Sequence, residues 1–359
     1  MKFANPIRHN AFLLVLLLLL TLGGVVPANG QAAEPTTALL NSRAIALNPQ
    51  TGKVYAVAPR ENAVAIFEPA TNSILRVPVG GGPVALAVNA STNRIYVANS
   101  ASGSISVLDG VKDTVLATLD VGPNPYVVAV DQITDKIYVS NTFRDLITII
   151  DGPTNSMIKR KAGSADAIAV DISSGRVYLI GYEDENISVF DEKSETISKT
   201  RIGMHLWGID LSPGGSKLYV TRSGNSELAV LDRHSGSVAM IPTGATPCAV
   251  ALNSKTDTIY VISHTGDSVT AIDAGKQAVI ATIKVGHRPQ GIAVDSVRNR
   301  IYIANRNEDS ISVIDGVQNR VVQTLRTGRN PFALAVNQNT GQLFVTSAAG
   351  PALELVPQQ

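Results

Sequence analysis

Short runs of alternating apolar and polar residues recur along the whole chain and are separated by small polar loops. Ile301-Tyr-Ile-Ala-Asn305, followed by Ser310-Ile-Ser-Val-Ile-Asp315, is one example, and each run has the length and period of a β-strand. The aromatic residue of the first run recurs every 40 to 42 residues, at Tyr55, Tyr96, Tyr138, Tyr178, Tyr219, Tyr260, Tyr302 and Phe344. The pattern predicts eight copies of one β-structured unit.

Each unit contains four predicted strands, which we call a, b, c and d in chain order. Strand a is a small apolar run such as Gly291-Ile-Ala-Val294, and strand b carries the aromatic residue. Strand c ends in Asp, and strand d is a run such as Val279-Ile-Ala-Thr-Ile283. Four antiparallel strands every ~40–45 residues are typical of a β-propeller blade. Helical periodicity, which a helical solenoid would show, is absent.

The count of strands indicates how the ring closes. The sequence has eight a, b and c strands, but only seven d strands follow a c strand. Thr36–Leu40 is an unassigned apolar segment ahead of the first strand a, and we expect it to supply the missing outer strand of the last blade. This arrangement leaves no unpaired blade. The fold prediction is an all-β propeller of four-stranded antiparallel blades, with eight blades favoured and seven as the alternative.

The N-terminal segment has the layout of a secretory signal peptide. Lys2 and Arg8 precede the apolar run Ala11–Leu20, and small residues follow. An uncleaved anchor is the alternative, but this apolar run is short for a span of roughly 20 residues. We predict a cleaved signal at residues 1–32 and a single propeller domain at residues 33–359. The mature protein should be secreted or periplasmic without a membrane span, and Cys248, the only cysteine, offers no lipidation site.

The net charge of the chain is close to zero and does not favour a highly charged partner. The formal net charge of +1 includes Lys2 and Arg8, so removal of the signal leaves a net charge of −1. Global charge therefore gives no argument for binding nucleic acid or an anionic membrane.

The repeated strands resemble those of the YVTN-repeat β-propeller family. The resemblance rests on Ile95-Tyr-Val-Ala-Asn99 with Ile105-Ser-Val-Leu-Asp109, and on the copies that begin at Ile137 and Ile301. It implies an exported bacterial or archaeal propeller, of a kind that includes surface proteins, binding proteins and subunits of redox enzymes. It implies no shared catalytic residues.

Residues that repeat in every unit most simply have structural roles. The strand b aromatic should fill the space between blades. Strand a has Ala in one column, which suits a crowded inner ring. The Asp that ends strand c should accept backbone N–H bonds in the following turn. These columns contain Ala46, Ala87, Ala129, Ala169, Ala251, Ala293 and Ala335, and Asp109, Asp151, Asp191, Asp232, Asp273 and Asp315.

Residues that break the shared columns are better functional candidates. Blade five deviates most: His205 precedes the only tryptophan, Trp207, Asp210 replaces the column alanine, and Arg222 stands where other units have small or amide residues. A carboxylate in the inner ring would be unfavourable without a partner. We therefore hypothesise an Asp210–Arg222 interaction, either as a structural pair or as part of a pocket beneath Trp207.

Other candidates fall in the d–a and b–c loops, which a propeller places on one face around the channel mouth, where function is frequent. They are Tyr126, Asp166, Phe332, His264, His287, Arg288, Arg306 and Arg329. A basic mouth would attract a carboxylate, a phosphate or a nucleic-acid strand, and the aromatics could stack on a ligand. Ordinary solvated loop charges and a zinc site built from His205, His264 and His287 are the alternatives.

No catalytic or cofactor-binding motif is present. We predict an exported, non-catalytic binding protein that presents its mouth face to a protein, a glycan or a small anionic ligand, with no catalytic residues, metal or cofactor. Nucleic acid is a less favoured partner, and we expect a monomer. The alternative is a periplasmic enzyme or enzyme subunit, either a lactonase-like hydrolase or a propeller subunit of a redox enzyme. Fold alone does not choose between them.

Overall fold

Each sequence repeat folds into one antiparallel sheet whose strands lie in chain order. The structure is a computed structural model that describes residues 44–357, except residues 143 and 164. Within that part of the chain, seven sheets have four strands and the last has three. The protein is thus an eight-bladed, all-β propeller, as predicted. The predicted signal peptide and the predicted closing strand Thr36–Leu40 lie outside the described residues.

The strands are numbered β1 to β31, four to a blade in blades one to seven and three in blade eight. Blades one to four comprise Ile45–Leu47, Val54–Ala58, Ala63–Glu68 and Ser73–Pro78 (β1–β4); Pro83–Asn89, Arg94–Asn99, Ser104–Asp109 and Thr114–Asp120 (β5–β8); Pro125–Asp131, Lys136–Asn141, Leu146–Asp151 and Met157–Lys161 (β9–β12); Ala167–Asp171, Arg176–Ile180, Asn186–Asp191 and Thr196–Arg201 (β13–β16). Blades five to eight comprise Leu206–Leu211, Lys217–Arg222, Glu227–Asp232 and Val238–Pro242 (β17–β20); Pro247–Asn253, Thr258–Ser263, Ser268–Asp273 and Ala278–Lys284 (β21–β24); Pro289–Asp295, Arg300–Asn305, Ser310–Asp315 and Arg320–Arg326 (β25–β28); Pro331–Val336, Leu343–Ser347 and Glu354–Val356 (β29–β31).

Strand a of every blade is innermost, and contacts between these strands close the ring. β9, for example, contacts β5 on one side and β13 on the other, and β29 contacts β1. The rings of Phe67 in blade one and Phe344 in blade eight lie 4.8 Å apart, centroid to centroid. The first and last blades are therefore neighbours that share one hydrophobic core.

The repeated aromatic residues fill the core, as predicted. The aromatic side chains of the strand b column are almost completely buried. Seven of the eight are paired in register with an alanine of strand a, as Tyr138 is with Ala129, and Tyr219 is paired with Asp210. The Tyr138 ring also lies 6.4 Å from the ring of Phe190 in the next blade. The large residue of each pair thus fills space toward the neighbouring blade, where the small residue leaves room.

The turns after strand c confirm the predicted role of the Asp column. The Oδ1 atom of Asp109 accepts the backbone N–H of Val111 at 2.8 Å and that of Lys112 at 3.1 Å. Donation from Lys112 and Val111 lowers the pKa of Asp109, because these bonds favour the ionised carboxylate. Equivalent bonds are accepted by Asp151, Asp191, Asp232, Asp273 and Asp315.

Ion pairs link neighbouring blades at the edge formed by the a–b and c–d turns. Nη1 of Arg233 in blade five lies 2.6 Å from Oδ2 of Asp171 in blade four, with both side chains almost fully buried. Nζ of Lys53 in blade one lies 2.7 Å from Oδ2 of Asp113 in blade two. These bonds join elements far apart in the sequence, so they stabilise the ring rather than a single blade.

Candidate functional site

The chain order of the strands places the d–a and b–c loops at one edge of every sheet, opposite those ion pairs. We call this edge the mouth face. In most blades a backbone N–H at the end of strand b donates to a carbonyl of the preceding d–a loop. Examples are Ser100 to Gly82, Thr142 to Asn124, and Arg306 to Arg288. The two loops of each blade are therefore held together, and their side chains share a surface.

Two arginines lie together on the mouth face of blade seven. The backbone N–H of Arg306 donates to the carbonyl oxygen of Arg288 at 3.2 Å. The backbone N–H of Arg288 donates to Oδ1 of Asp267 at 2.9 Å, and Arg288 is in the left-handed region with φ 51°. Partial burial lowers the pKa of Arg306, and the like charge of Arg288 lowers it further. Within the described chain, neither guanidinium has a carboxylate within ion-pair distance. We call these two residues the arginine pair.

His264 supports the loop that carries this pair. Its Nδ1 atom lies 3.0 Å from the carbonyl oxygen of Pro289, next to Arg288. Because a carbonyl only accepts, Nδ1 is the donor, and Nε2 of the neutral ring carries no proton. Burial lowers the pKa of His264, with the charges of Arg288 and Arg306 acting in the same direction. His264 therefore positions the loop as a neutral side chain.

This buried histidine predicts a pH-dependent loss of stability. The unfolded chain takes up a proton at His264 near its ordinary pKa of 6.5, whereas the folded chain does so only at lower pH. The free energy of unfolding should therefore decrease as the pH falls below 6.5, and this contribution ends below the folded pKa. Denaturant unfolding measured at several pH values between 7.5 and 5.5 gives the dependence of the free energy of unfolding on pH. This dependence should be weaker for His264→Asn, whose amide can still donate to Pro289. His234→Asn, at an exposed turn, is the control and should change the pH dependence less than His264→Asn does. An equal pH dependence in the two variants would contradict this assignment.

The other half of the mouth is aromatic and acidic. The ring of Tyr182, in the b–c loop of blade four, lies 4.8 Å from the ring of His205. Its ring centroid lies 5.6 Å from that of Trp207, in an edge-to-face arrangement. The carbonyl oxygen of Tyr182 accepts the backbone N–H of His205 at 2.9 Å, and His205 has φ 60°. Trp207 is half-buried and packs against the core near Cys248. The three rings therefore form a continuous wall across blades four and five.

Asp166 completes this half of the mouth. Its Oδ2 atom accepts the backbone N–H of Tyr182 at 2.7 Å. In most other blades the equivalent N–H donates to a backbone carbonyl of the d–a loop, whereas in blade four it donates to the Asp166 carboxylate. Burial raises the pKa of Asp166, and the charge of Glu183 raises it further. The negative charge of Asp166 in turn helps burial to raise the pKa of the Tyr126 hydroxyl. We call Tyr126, Asp166, Tyr182 and Trp207 the acidic–aromatic patch.

The comparisons with known proteins identify a family. A family model described as YNCE-like beta-propeller matches residues 84–356. The chain belongs to the YNCE-like β-propeller family. No curated protein matches this YNCE-like chain.

Two solved structures share the YNCE-like fold. Hydrazine synthase from Kuenenia stuttgartiensis is 17% identical, with a TM-score of 0.64 over 81% of this chain and 99% of that one. Dihydro-heme d1 dehydrogenase NirN in complex with DHE is 14% identical, with a TM-score of 0.70 over 92% of this chain and 75% of that one. At such low identity, both similarities concern the fold alone.

The predicted Asp210–Arg222 pair was wrong. In this YNCE-like propeller, the register places Asp210 opposite Tyr219 and Arg222 opposite Leu206, near the two ends of the same strand pair. Three residues of strand separate Tyr219 from Arg222, which is about 10 Å. Nη1 of Arg222 instead pairs with Oε2 of Glu227.

Asp210 has backbone partners within the inner ring. Its Oδ2 atom accepts the backbone N–H of Leu252 in blade six at 3.2 Å, and its Oδ1 atom accepts that of Leu211. Asp210 therefore links two inner strands below the mouth.

Several other predicted residues belong to neither cluster. Phe332 is buried in the core shared by blades eight and one. His287 adjoins the arginine pair, where its Nδ1 atom donates to Oδ2 of Asp267 at 2.9 Å, and Arg329 is exposed. Among the described residues, no group of three His, Cys, Asp or Glu side chains could hold a metal ion, so the three candidate histidines do not converge. In the same part of the chain, no helix is long and apolar enough to cross a membrane.

The sequence reasoning missed Tyr182. This residue lies just after strand b, four positions beyond the repeated aromatic, in the column that holds His264 in blade six and Arg306 in blade seven. The column after the loop proline was compared between blades. The same comparison of this column would have identified Tyr182.

Proposed function

We propose that the protein is an exported, non-catalytic propeller of the YVTN-repeat type that binds a small carboxylate or phosphate ligand at its mouth face. The observation that carries this proposal is the arginine pair, Arg288 and Arg306, held side by side without a carboxylate partner among the described side chains. The signal-like residues 1–32 support export.

Electrostatics favour an anion at the arginine pair. Two like charges in a partly desolvated loop repel one another, and this repulsion contributes to the lowered pKa of Arg306. A bound anion offsets that repulsion between the two guanidinium groups. A guanidinium also presents several N–H donors in a planar fork that matches carboxylate and phosphate oxygens. Because His264 has its Nδ1 atom directed to Pro289, the two arginines provide the donors and the histidine positions them.

The second candidate is an enzyme or an enzyme subunit. It is supported by the two similar folds, which belong to proteins named as hydrazine synthase and a dehydrogenase. An active site of the hydrolase kind would need acid and base groups to converge. Asp210 lies four residues from Leu206 along β17, about 13 Å below the mouth. His205 packs against Tyr182, and His264 bonds to Pro289.

Calorimetric titration with inorganic phosphate, acetate and succinate tests the anion site. We expect binding that weakens as salt is added, because the contacts are charged and partly solvated. Arg306→Ala should weaken it by about tenfold to a hundredfold, since a hydrogen bond to a charged group contributes about 1.5–3 kcal/mol. Arg288→Ala should have a similar effect.

Arg329→Ala is the matched control, because Arg329 is an exposed arginine in the equivalent loop of the next blade. It should leave phosphate binding unchanged. If all three variants weaken binding equally, the mouth attracts anions through its general charge and contains no specific site. Absence of any titratable binding to the wild-type protein would overturn the proposal.

A further inference from the structure

Among the residues that the structure describes, the carboxyl group of Asp166 in the acidic–aromatic patch has no basic partner. The influences that raise the pKa of Asp166 are burial and Glu183, and no lysine or arginine lowers it. One carboxylate oxygen, Oδ2, accepts the Tyr182 N–H, and no described side chain donates to Oδ1. A partly desolvated carboxylate that lacks a counter-ion is unfavourable in the folded protein. Such a group gains more than a solvated one when a cation binds beside it.

The surrounding rings are suited to an organic cation. Tyr182 is tied to Asp166 through its backbone, and the Tyr182 ring meets Trp207 edge-to-face at 5.6 Å. Tyr126 is buried in the core beneath the patch, and besides this burial the nearby charge of Asp166 raises the pKa of its hydroxyl. Faces of tryptophan and tyrosine attract ammonium groups through their π-electrons, most strongly where water is displaced. A carboxylate beside aromatic rings therefore combines both attractions.

We propose that Tyr126, Asp166, Tyr182 and Trp207 form a binding site for an organic ammonium group, separate from the anion site on blade seven. The mouth face then has a cation-binding half on blades three to five and an anion-binding half on blade seven. A metal ion would need more ligands than this patch supplies, since within the described chain no cluster of three suitable side chains exists. The aromatic rings favour an alkylated or primary ammonium group over a hydrated inorganic ion.

Trp207 provides a direct measurement, because it is the only tryptophan in the chain. Titration with choline should change its fluorescence in a saturable manner. The neutral carbon analogue 3,3-dimethylbutan-1-ol, of the same shape, should bind at least about tenfold more weakly, since it lacks the charge that Asp166 and the rings attract. Sodium chloride at the same ionic strength should give no saturable change.

Two variants test the residues. Asp166→Asn keeps an oxygen that can accept the Tyr182 N–H, and it should weaken choline binding about tenfold or more by removing the charge. Tyr182→Leu keeps the backbone bond and should weaken it by about threefold to tenfold. Arg306→Ala should leave choline binding unchanged, so failure of the anion site and failure of this site are distinguishable. Thermal unfolding of each variant checks that it folds.

The opposite results are equally clear. Equal affinity for choline and its neutral analogue would show an apolar pocket and overturn the cation site. Full choline binding by a folded Asp166→Asn would have the same consequence. If Asp166→Asn does not fold, retained binding by Tyr182→Leu, or equal binding of the neutral analogue by the wild type, overturns the proposal.

Discussion

Replacing Arg233 with Ala is expected to lower the free energy of unfolding by about 3–5 kcal/mol, because a buried carboxylate loses its counter-ion. Nη1 of Arg233 lies 2.6 Å from Asp171 and also donates to the carbonyl of Gly215, while Nη2 donates to Ser174 at 3.0 Å. The guanidinium carbon lies 5.1 Å from the centre of the Tyr178 ring. Burial acts to raise the pKa of Asp171, but hydrogen bonds from Ser173 and Ser174, together with that from Arg233, lower it to about 2. Denaturant unfolding at pH 7 measures the loss.

An exposed ion pair provides the control for that variant. Nη2 of Arg160 lies 2.8 Å from Oε2 of Glu195, and the two side chains are 33% and 62% exposed. Arg160→Ala should change the free energy of unfolding by less than about 1 kcal/mol, because solvent screens exposed charges. Each variant removes an arginine that pairs with a carboxylate. A loss of equal size at both positions would contradict the assignment of Arg233 as a tie between blades four and five.

The second large effect is expected for Tyr138→Ala, which should lower the free energy of unfolding by about 3–5 kcal/mol. Tyr138 is completely buried and lies opposite Ala129 in the register of blade three. Its ring also contacts Phe190 of blade four, so truncation opens a cavity between two blades. Because Ala129 is already small, the neighbouring strand offers no side chain to fill the space. Calorimetry or denaturant unfolding would measure the effect.

Conservative changes at two tyrosines separate packing from hydrogen bonding. The Tyr138 hydroxyl has no hydrogen-bond partner in the described structure, so Tyr138→Phe should be neutral or slightly stabilising. The Tyr260 hydroxyl donates to Oδ1 of Asn319 at 2.7 Å, so Tyr260→Phe should lower the free energy of unfolding by about 1 kcal/mol. A large loss for Tyr138→Phe would mean that its hydroxyl has a polar role.

The fold could be predicted because its signal is repeated eight times. The strand b aromatic, the strand a alanine and the strand c aspartate each have a local physical reason, and that reason acts in every blade. Ala129 opposite Tyr138 and Asp109 in its turn are two such cases, and the structure confirms both. Repetition averages out the irregular residues that mislead a reading of any single strand.

The site could be predicted only in part, because column positions say which residues deviate and not what they touch. Asp210 and Arg222 both deviate, but strand register separates them, and Arg222 finds Glu227 on the adjacent strand. Phe332 occupies the same column as Trp207, yet it is buried between blades eight and one. Side-chain contacts of this kind depend on strand register and on packing against the next blade, which a comparison of columns does not contain.

The contact between Phe67 and Phe344 has a consequence for how the protein is made. The residue that covers Phe67 is synthesised 277 positions later. Until it emerges, the outward side of blade one presents apolar surface that has no partner within the growing chain. Such surface promotes aggregation of incomplete chains. We therefore expect this face of blade one to need shielding until the last blade is synthesised, whereas a linear repeat array could fold progressively from its first units.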